Sequence, residues 1–325
     1  MDNGKFIISL DFEIYWGVRD VVQLQDYRNH LEGVKKVIPL CLEMFKRYKI
    51  NATFATVGFL FFHTKKELVS NLPERKPAYL NTRLSPYTDG FKSVGENENS
   101  DPFHLAGSLV QQIKLSGQEI GSHSFSHYYC LEKGQSKEDF REDTIAAKRV
   151  AESQGIDLKS FVFPRNQIDE KYINICVEMG FTSFRGNEKS WLFSSETHGS
   201  MVAYRRPFRL LDSYINLSGF NCYSSDDMRK YKIVNIPSSR FLRPYSKSLK
   251  SFENLRLKRI TSSMSHAAKN GLAYHLWWHP HNFGNNILEN FSFLEKILIH
   301  YKKLNEEYNF ESVNMQQLAK EINNG

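Results

Sequence analysis

The sequence predicts an α/β fold built on a parallel sheet, and two observations lead to this prediction. Short apolar runs rich in β-branched and aromatic residues alternate with segments of helical periodicity along most of the 325 residues. Polar residues stand where several predicted strands end, which is where barrels and parallel sheets build their sites. Six or seven strand–helix units suit a closed or nearly closed β/α barrel, with an open doubly wound sheet as the alternative.

The predicted elements follow one another with short connections. The strands are residues 6–13, 52–60, 119–124, 159–166, 182–186, 231–239 and 271–279. The helices are residues 27–48, 104–117, 136–155, 248–269 and 286–306. Two long segments, around 63–103 and 187–230, break this rhythm and are expected to be binding loops. We therefore predict one domain over residues 1–325 with two insertions.

Composition and the absence of recognisable motifs favour an ordinary globular protein over a membrane-spanning or nucleic-acid-binding one. Hydrophobic residues make up 41% and charged residues 24%, as in ordinary globular proteins. The longest nearly apolar run, residues 52–62, is shorter than the ~20 residues that a membrane span needs. The sequence carries no recognisable secretory signal, and its four cysteines are widely spaced, so a reducing, cytoplasmic setting is expected. No motif for nucleic-acid binding is recognisable, and no nucleic-acid partner is expected.

Positive charge is concentrated in one part of the chain. The net charge is +7, and residues 205–269 hold fourteen lysines and arginines against four acids. A solvated basic face is the ordinary interpretation. The alternative is contact with an anionic group, such as a nucleotide sugar, a lipid diphosphate or the periphery of a membrane.

Two histidines follow the third predicted strand in the stretch EIGSHSFSH. His123 and His127 are four residues apart, so on a helical turn they would share one face and reach one cation. Imidazole is a good zinc ligand, and a carboxylate is a common third ligand. This spacing alone is a weak signal, but the other strand ends add acids and further histidines.

The first strand ends in an acid pair, Asp11 and Glu13. Side chains two apart on a strand point the same way, and two buried carboxylates need a metal or a cation to compensate them. One acid can then bind a metal while the other accepts a proton.

Three further side chains of interest stand at strand ends. Arg165 follows the fourth strand, and a guanidinium beside a carboxylate keeps that carboxylate ionised. His279 and His281 follow the last strand, and one of them is a candidate general acid. Trp16, Trp277 and Trp278 are possible platforms for a sugar face, although tryptophans beside strands are more often core residues.

These motifs resemble, in chain order, those of the polysaccharide deacetylase superfamily, as a divergent member similar to carbohydrate esterase family 4. SLDFE resembles the family's first motif, T-F-D-D-G, and GQEIGSHSFSH is similar to its metal motif, H-[ST]-x-x-H. FVFPRN stands where the family has an Arg/Pro motif, and LWWHP resembles the closing L-x-x-H motif.

The resemblance implies a distorted (β/α)7 barrel that binds one divalent metal ion, zinc first, with cobalt or nickel as alternatives. It implies Glu13, His123 and His127 as metal ligands. It also implies Asp11 as catalytic base, His279 as general acid and Arg165 as the partner of the base. Because the two acids are not adjacent as in the family motif, the reverse assignment of Asp11 and Glu13 is the alternative.

The expected substrate contacts are Trp16, Asn166, Trp278 and His281, and Asn166 stands where the family often has an aromatic residue. The predicted activity is removal of the N-acetyl group from an amino sugar, nucleotide- or lipid-linked, in surface polysaccharide biosynthesis. Hydrolysis of another C–N amide, such as a cyclic imide or ureide, is the first alternative. A non-catalytic glycan-binding protein is the second.

Overall fold

The computed structural model describes residues 3–88, 90–190, 192 and 200–324, and over this part of the chain nine parallel strands form one curled sheet. The strand order is β6-β5-β4-β3-β2-β1-β8-β7, and β9 pairs with β1. The strands are β1 (Lys5–Phe12), β2 (Ala52–Thr56), β3 (Glu119–Ser122), β4 (Ser160–Phe161), β5 (Ser183–Phe184), β6 (Val234–Asn235), β7 (Arg240–Phe241), β8 (Ala273–Trp278) and β9 (Glu311–Ser312).

Helices surround the sheet, so the α/β barrel-like fold predicted from the sequence is confirmed in the form of a curled half-barrel. They are α1 (Leu24–Glu32), α2 (Val34–Tyr48), α3 (Lys65–Ser70), α4 (Gly107–Leu115), α5 (Lys137–Ser153), α6 (Glu170–Glu178), α7 (Ser200–Asp212), α8 (Ser225–Met228), α9 (Glu253–Lys269), α10 (Ile287–Tyr308) and α11 (Met315–Asn324). None of these helices is long and apolar enough to cross a membrane in the described part of the chain.

The two edges of the curled sheet are tied together by the short segment between β6 and β7. On one side, the backbone N–H of Ser238 donates to the carbonyl of Gly186, just after β5, at 2.9 Å. On the other side, the N–H of Ser239 donates to the carbonyl of His275 in β8 at 2.8 Å. The predicted strand 231–239 is therefore only partly correct, because the chain leaves β6 after Asn235 to make this connection.

The first strand carries apolar side chains on one face and the site's polar side chains on the other. All eight residues of β1 are buried. Because side chains alternate along a strand, Phe6, Ile8 and Leu10 pack in the large hydrophobic cluster, whereas Ile7 joins a second cluster that includes α11. Asp11 lies on the same face as Ile7 but near the carboxyl end of β1. The contacts between β1 and α11 are at the other end of the strand.

A close approach of two glycines positions the turn after β8. The predicted helix 27–48 divides into α1 and α2 at Gly33. A Cβ atom added to Gly33 would overlap the backbone of Gly284, and one added to Gly284 would overlap the carbonyl of His30. The turn that begins at His279 is therefore held against the α1–α2 junction.

The two irregular segments contain short elements of their own. Residues 63–103 include α3, and residues 187–230 include α7 and α8, with residues 89, 191 and 193–199 outside the described part of the chain. Their role as insertions into a single domain stays a prediction.

Candidate active site and metal centre

The two histidines after β3 lie in a loop, and the helical turn expected for them is wrong. Ser124 and His127 have left-handed backbone angles, with φ of +59° and +58°. A helix cannot continue through such residues. The loop nevertheless brings the rings of His123 and His127 to a centroid separation of 5.0 Å, as the prediction of a shared metal site requires.

A buried carboxylate on α5 organises this loop. Asp143 accepts the backbone N–H of Phe125 at 2.7 Å and that of Ser126 at 3.1 Å, and the Ser126 hydroxyl also donates to it. Burial raises the pKa of the Asp143 carboxyl to about 6, although these three hydrogen bonds lower it. Asp143 thus supports the segment between the two histidines without contacting a ligand itself.

Glu13 lies directly in front of both imidazoles. Its Oε2 is 3.2 Å from Nε2 of His123 and 3.0 Å from Nε2 of His127. His123 donates its Nδ1–H to the carbonyl of Val162 at 2.8 Å, which leaves the Nε2 lone pair facing Glu13. Burial raises the pKa of the Glu13 carboxyl, but the nearby rings of His279 and His127 bring it well below its usual range.

The chemistry of this cluster fits a divalent metal ion. One ligand atom each from Glu13, His123 and His127 lie within 4.8 Å of one another, and all three residues are buried. Two imidazoles and a carboxylate are a common zinc set that leaves an open position for water or substrate. Gly17 makes room for the carboxylate, because a Cβ atom at this position would overlap the Glu13 carboxyl group.

The second acid, Asp11, is paired with an arginine that the sequence analysis did not select. Arg185 donates from Nη1 to Oδ1 of Asp11 at 2.6 Å and from Nη2 to Oδ2 at 2.7 Å. Its guanidinium also lies over the ring of Trp277, 4.2 Å from the centroid. Burial raises the pKa of Asp11, but the charge and hydrogen bonds of Arg185 hold it below the usual range. Asp11 is therefore an ionised carboxylate deep in the site.

The expected pairing of Arg165 with Asp11 is replaced by a different contact. Arg165 has a left-handed φ of +55°, its Nη2 donates to Asp20, and its guanidinium lies 4.3 Å from the ring centroid of Tyr129. The arginine that pairs with Asp11 comes instead from the end of β5. The predicted strand 182–186 includes Arg185 near its end. The motif resemblance implies Arg165 instead, because Pro-Arg-Asn after β4 stands where the family has its Arg/Pro motif.

His279 faces both acids from the end of β8. Its Nε2 is 3.8 Å from Oδ2 of Asp11 and 3.5 Å from Oε1 of Glu13. Its Nδ1–H donates to Oδ1 of Asn282 at 3.1 Å, which fixes the ring with Nε2 toward the site. Its side chain is 23% exposed, against 5% or less for either acid, so His279 can meet a ligand from solvent.

A sequence model of the polysaccharide deacetylase family matches residues 31–184. A Mycobacterium smegmatis protein described as a polysaccharide deacetylase has a similar crystal structure, with a TM-score of 0.59, 10% identity, and coverage of 100% of this chain and 92% of its own. The resemblance seen in the sequence motifs is therefore confirmed, and residues 31–184 match the polysaccharide deacetylase family.

Other solved structures show the same fold at low identity. A Pseudomonas aeruginosa PAO1 protein described as a probable polysaccharide deacetylase has a TM-score of 0.56 and 10% identity, with 97% of this chain and 89% of that chain covered. The Puue allantoinase structure has a TM-score of 0.56 and 11% identity over the same shares of both chains. No curated protein matches the sequence. Family and fold together support a deacetylase or related amide hydrolase.

Three of the four expected substrate contacts lie in the protein interior. Trp16 and Trp278 are 0% exposed, and His281 is 2% exposed. Trp16 donates its Nε1–H to the carbonyl of His104, and Trp278 stacks on Phe283. The two tryptophans are thus core residues, and no sugar platform is available on them.

Asn166 and Trp277 are the neighbours of the site that remain partly accessible. Asn166 accepts a hydrogen bond at its Oδ1 from Nη2 of Arg185 at 3.2 Å, so it supports the arginine that holds Asp11. Trp277 is partly exposed, and its ring lies 5.5 Å from that of His279. Among Trp16, Trp277 and Trp278, Trp277 is the one whose ring lies beside His279 and Arg185.

Three arginines of the basic segment 205–269 are engaged inside the protein. Arg240 and Arg259 are 4% exposed and both reach Asp212, at 2.9 and 3.5 Å. Arg256 is 2% exposed and pairs with Glu253 at 2.5 Å. These three arginines belong to a buried network and do not form a surface for an anionic carrier.

Proposed function

We propose that the chain is a metal-dependent hydrolase that removes the N-acetyl group from an amino sugar. The observation that supports this proposal is the close approach of two separate groups of side chains. Glu13 with His123 and His127 forms a metal-type donor set. Asp11, held by Arg185, and His279 lie beside it within 4 Å of Glu13 or of each other.

Asp11 is the proposed general base. It is a buried, ionised carboxylate whose charge is maintained by two short bonds from Arg185. It can accept a proton from the water that attacks the acetyl carbonyl carbon. Asp11 is then the base and Glu13 the metal ligand, which is the assignment that the motif resemblance implies.

His279 is the proposed general acid. A proton on its Nε2 points toward both acids and can be passed to the nitrogen of the leaving amine when the C–N bond breaks. Asn282 keeps the ring in this orientation by accepting the Nδ1–H. Proton transfer of this kind is worth about 10²–10⁴-fold in rate.

Glu13, His123 and His127 would hold the ion, with zinc as the first choice and cobalt or nickel as alternatives. When bound, a divalent ion would polarise the acetyl carbonyl and acidify the attacking water. Gly17 and the Val162 carbonyl would keep the ligands aligned, because they fix the Glu13 carboxyl and the His123 ring.

The substrate class follows from the family, whose members act on N-acetylated sugars. A nucleotide- or lipid-linked amino sugar in surface polysaccharide biosynthesis, in a cytoplasmic setting, remains our proposed context. Peripheral contact with a membrane would be compatible with a lipid-linked substrate.

Acetate release from metal-loaded protein tests this proposal. We expect turnover of at least one N-acetylated amino sugar, a fall of about 10³-fold in kcat for Asp11→Asn, and no comparable fall for the matched control Asp157→Asn, whose carboxylate is an exposed partner of Lys159. Absence of acetate release from a broad panel of such sugars, with metal bound, would overturn the proposal.

A second candidate function is hydrolysis of a cyclic imide or ureide on the same fold. This second function is supported by the similarity to an allantoinase structure, whose TM-score equals that of the Pseudomonas protein. Ring opening of such a compound by protein that leaves all N-acetylated sugars intact would select this function instead. A protein that binds glycans without turnover of either class would correspond to a non-catalytic descendant.

A further inference from the structure

A polar cavity of about 360 Å³ lies next to the candidate active site. It is bounded on one side by the turn after β1, through Tyr15, Arg19 and Asp20, and on the other by the 63–103 segment, through Arg83 and Ser85. The same turn begins at Glu13, so the cavity and the proposed metal ligand share one short piece of backbone.

A chain of hydrogen bonds links the cavity to the metal-type cluster. Asp20 lines the cavity and accepts a hydrogen bond from the hydroxyl of Tyr129 at 3.3 Å. That hydroxyl is also 3.2 Å from Nδ1 of His127, whose Nε2 is 3.0 Å from Glu13. One tyrosine side chain therefore lies between the cavity and the proposed metal ligands, so the two are close neighbours.

Among the described residues that line the cavity, arginines outnumber acids. Asp20 is already neutralised by Arg165. Arg19 donates to the backbone carbonyls of Arg83, at 2.8 Å, and of Leu84, and these bonds do not compensate its charge. Among the described residues, no carboxylate forms an ion pair with Arg19 or Arg83, and Nε of Arg19 is buried without a hydrogen-bond partner.

A second polar atom without a partner lies in the cavity wall. His104 lines the cavity, is 1% exposed, and places Nδ1 2.8 Å from Asp101. Its Nε2 is buried with no hydrogen-bond partner in the described part of the chain. Because Nδ1 donates to Asp101, Nε2 of His104 is an acceptor, and the donors for an anionic ligand are the arginines of this cavity.

We propose that this cavity is a subsite for an anionic group on the substrate, a carboxylate or a phosphate carried on or next to the reacting amino sugar. Guanidinium groups bind both kinds of oxyanion through paired N–H donors, and Arg19 and Arg83 are the donors here. The inference rests on the proposed function for its reacting sugar. The cavity is separate from the basic segment 205–269, whose contact with an anionic carrier stays a prediction.

Arg83→Gln tests the subsite, because the exposed Arg83 side chain can be changed while the backbone carbonyl that Arg19 needs is kept. The matched control is Arg47→Gln, an exposed arginine on α2 that pairs with Glu43 and Glu295. The substrates are N-acetylglucosamine, its 6-phosphate, N-acetylmuramic acid and UDP-N-acetylglucosamine, which compare a neutral sugar with phosphate, carboxylate and diphosphate forms.

We expect wild-type protein to prefer an anionic form over the neutral sugar in kcat/KM. Arg83→Gln should lower that preference about tenfold, mainly through KM, because a hydrogen bond to a charged group is lost. Arg47→Gln should leave it unchanged. A phosphate-only or carboxylate-only preference would identify which anion the cavity takes. Equal kcat/KM values for neutral and anionic sugars in wild type, or an equal loss for both in Arg83→Gln, would overturn the subsite.

Binding of inorganic phosphate separates failure of the subsite from failure of the proposed function. Calorimetry should show phosphate binding to wild type and to Arg47→Gln, weakened about tenfold in Arg83→Gln, whether or not any sugar is turned over. Turnover of N-acetylated sugars without any anion preference would leave the deacetylase proposal in place and remove the subsite. Phosphate binding that survives Arg83→Gln unchanged would also contradict it.

Discussion

Asp11 and Glu188 are both buried carboxyl groups beside arginines, yet the structure gives them opposite charge states. Asp11 receives two N–H bonds from Arg185, and this contact keeps its pKa below the usual range in spite of burial. Glu188 has Oε2 buried without a hydrogen-bond partner, and burial raises its pKa to about 8, against the attraction of Arg240. A nearby arginine is therefore not enough, and a paired contact decides whether a buried acid stays ionised.

Asp143 falls between these two cases. It has three hydrogen-bond donors but no arginine, and its pKa is raised to about 6. Hydrogen bonds from neutral donors satisfy its oxygens without supplying a positive charge. The three acids form a graded series in which the number and charge of the contacting donors set the protonation state.

The largest effect should come from removing the charge partner of Asp11. In Arg185→Gln, the carboxyl of Asp11 would lie in the same situation as that of Glu188, buried without a paired guanidinium. We expect kcat at neutral pH to fall about 10²–10⁴-fold, because a protonated carboxyl cannot act as base. Steady-state acetate release measures this, and a loss of less than tenfold would contradict the role of the pair.

Asp143→Asn should weaken metal binding without touching a ligand. An amide offers only one acceptor oxygen, so at least one N–H of Phe125 or Ser126 would lose its partner and the histidine loop would loosen. We expect metal affinity to fall about 10–100-fold, as for other residues that support metal ligands. Chelator competition measures this affinity, and wild-type affinity in the variant would contradict the supporting role. Asp157→Asn, on the surface, is the control.

Glu188 should make the protein less stable as the pH rises. Its carboxyl has a pKa of about 8 in the folded protein and about 4.5 in the unfolded chain, so the folded state holds the extra proton between these values. Stability from this group is full below about pH 4.5 and is lost as pH rises toward 8, at up to about 1.4 kcal/mol per pH unit.

Denaturant unfolding of wild type and Glu188→Gln at pH 5 and pH 8 measures the difference. We expect the free energy of unfolding of Glu188→Gln, relative to that of wild type, to increase as the pH is raised from 5 to 8. A difference between the two proteins that does not change with pH would show that Glu188 is ionised in the folded state.

The smallest effect should come from Arg165, the arginine that the motif resemblance favoured. In Arg165→Gln, Asp20 loses its ion pair, but Asp11 keeps both bonds from Arg185. We expect kcat to fall less than about tenfold, far less than in Arg185→Gln. A loss as large as that of Arg185→Gln would mean that Arg165 acts directly on the base.

The sequence predicted most of the architecture that positions the site. Strand ends were visible as polar residues after apolar runs. This pattern predicted one site that includes Asp11, Glu13, His123, His127 and His279. The structure places these five side chains close together. The two-residue strands β7 and β9 were missed, whereas the equally short β4, β5 and β6 lie within longer apolar runs that the sequence shows.

Other features of the site depend on contacts that spacing does not encode. The left-handed residues Ser124 and His127 give a loop where the spacing suggested a helix. The choice between Arg165 and Arg185 depends on which side chain crosses the barrel to Asp11. Trp16 and Trp278 are core residues because the turn after β1 and the strand β8 face inward at these positions, which composition does not reveal.

The separation of roles between the two acids of the first strand is the centre of this account, and metal content measures it most directly. Metal analysis of purified Asp11→Asn and Glu13→Gln, each loaded with zinc and dialysed beside wild type, compares the two acids. We predict that Asp11→Asn retains about one ion per chain with almost no turnover, whereas Glu13→Gln loses the ion. Loss of the ion from Asp11→Asn together with its retention in Glu13→Gln would contradict the account and reverse the two assignments.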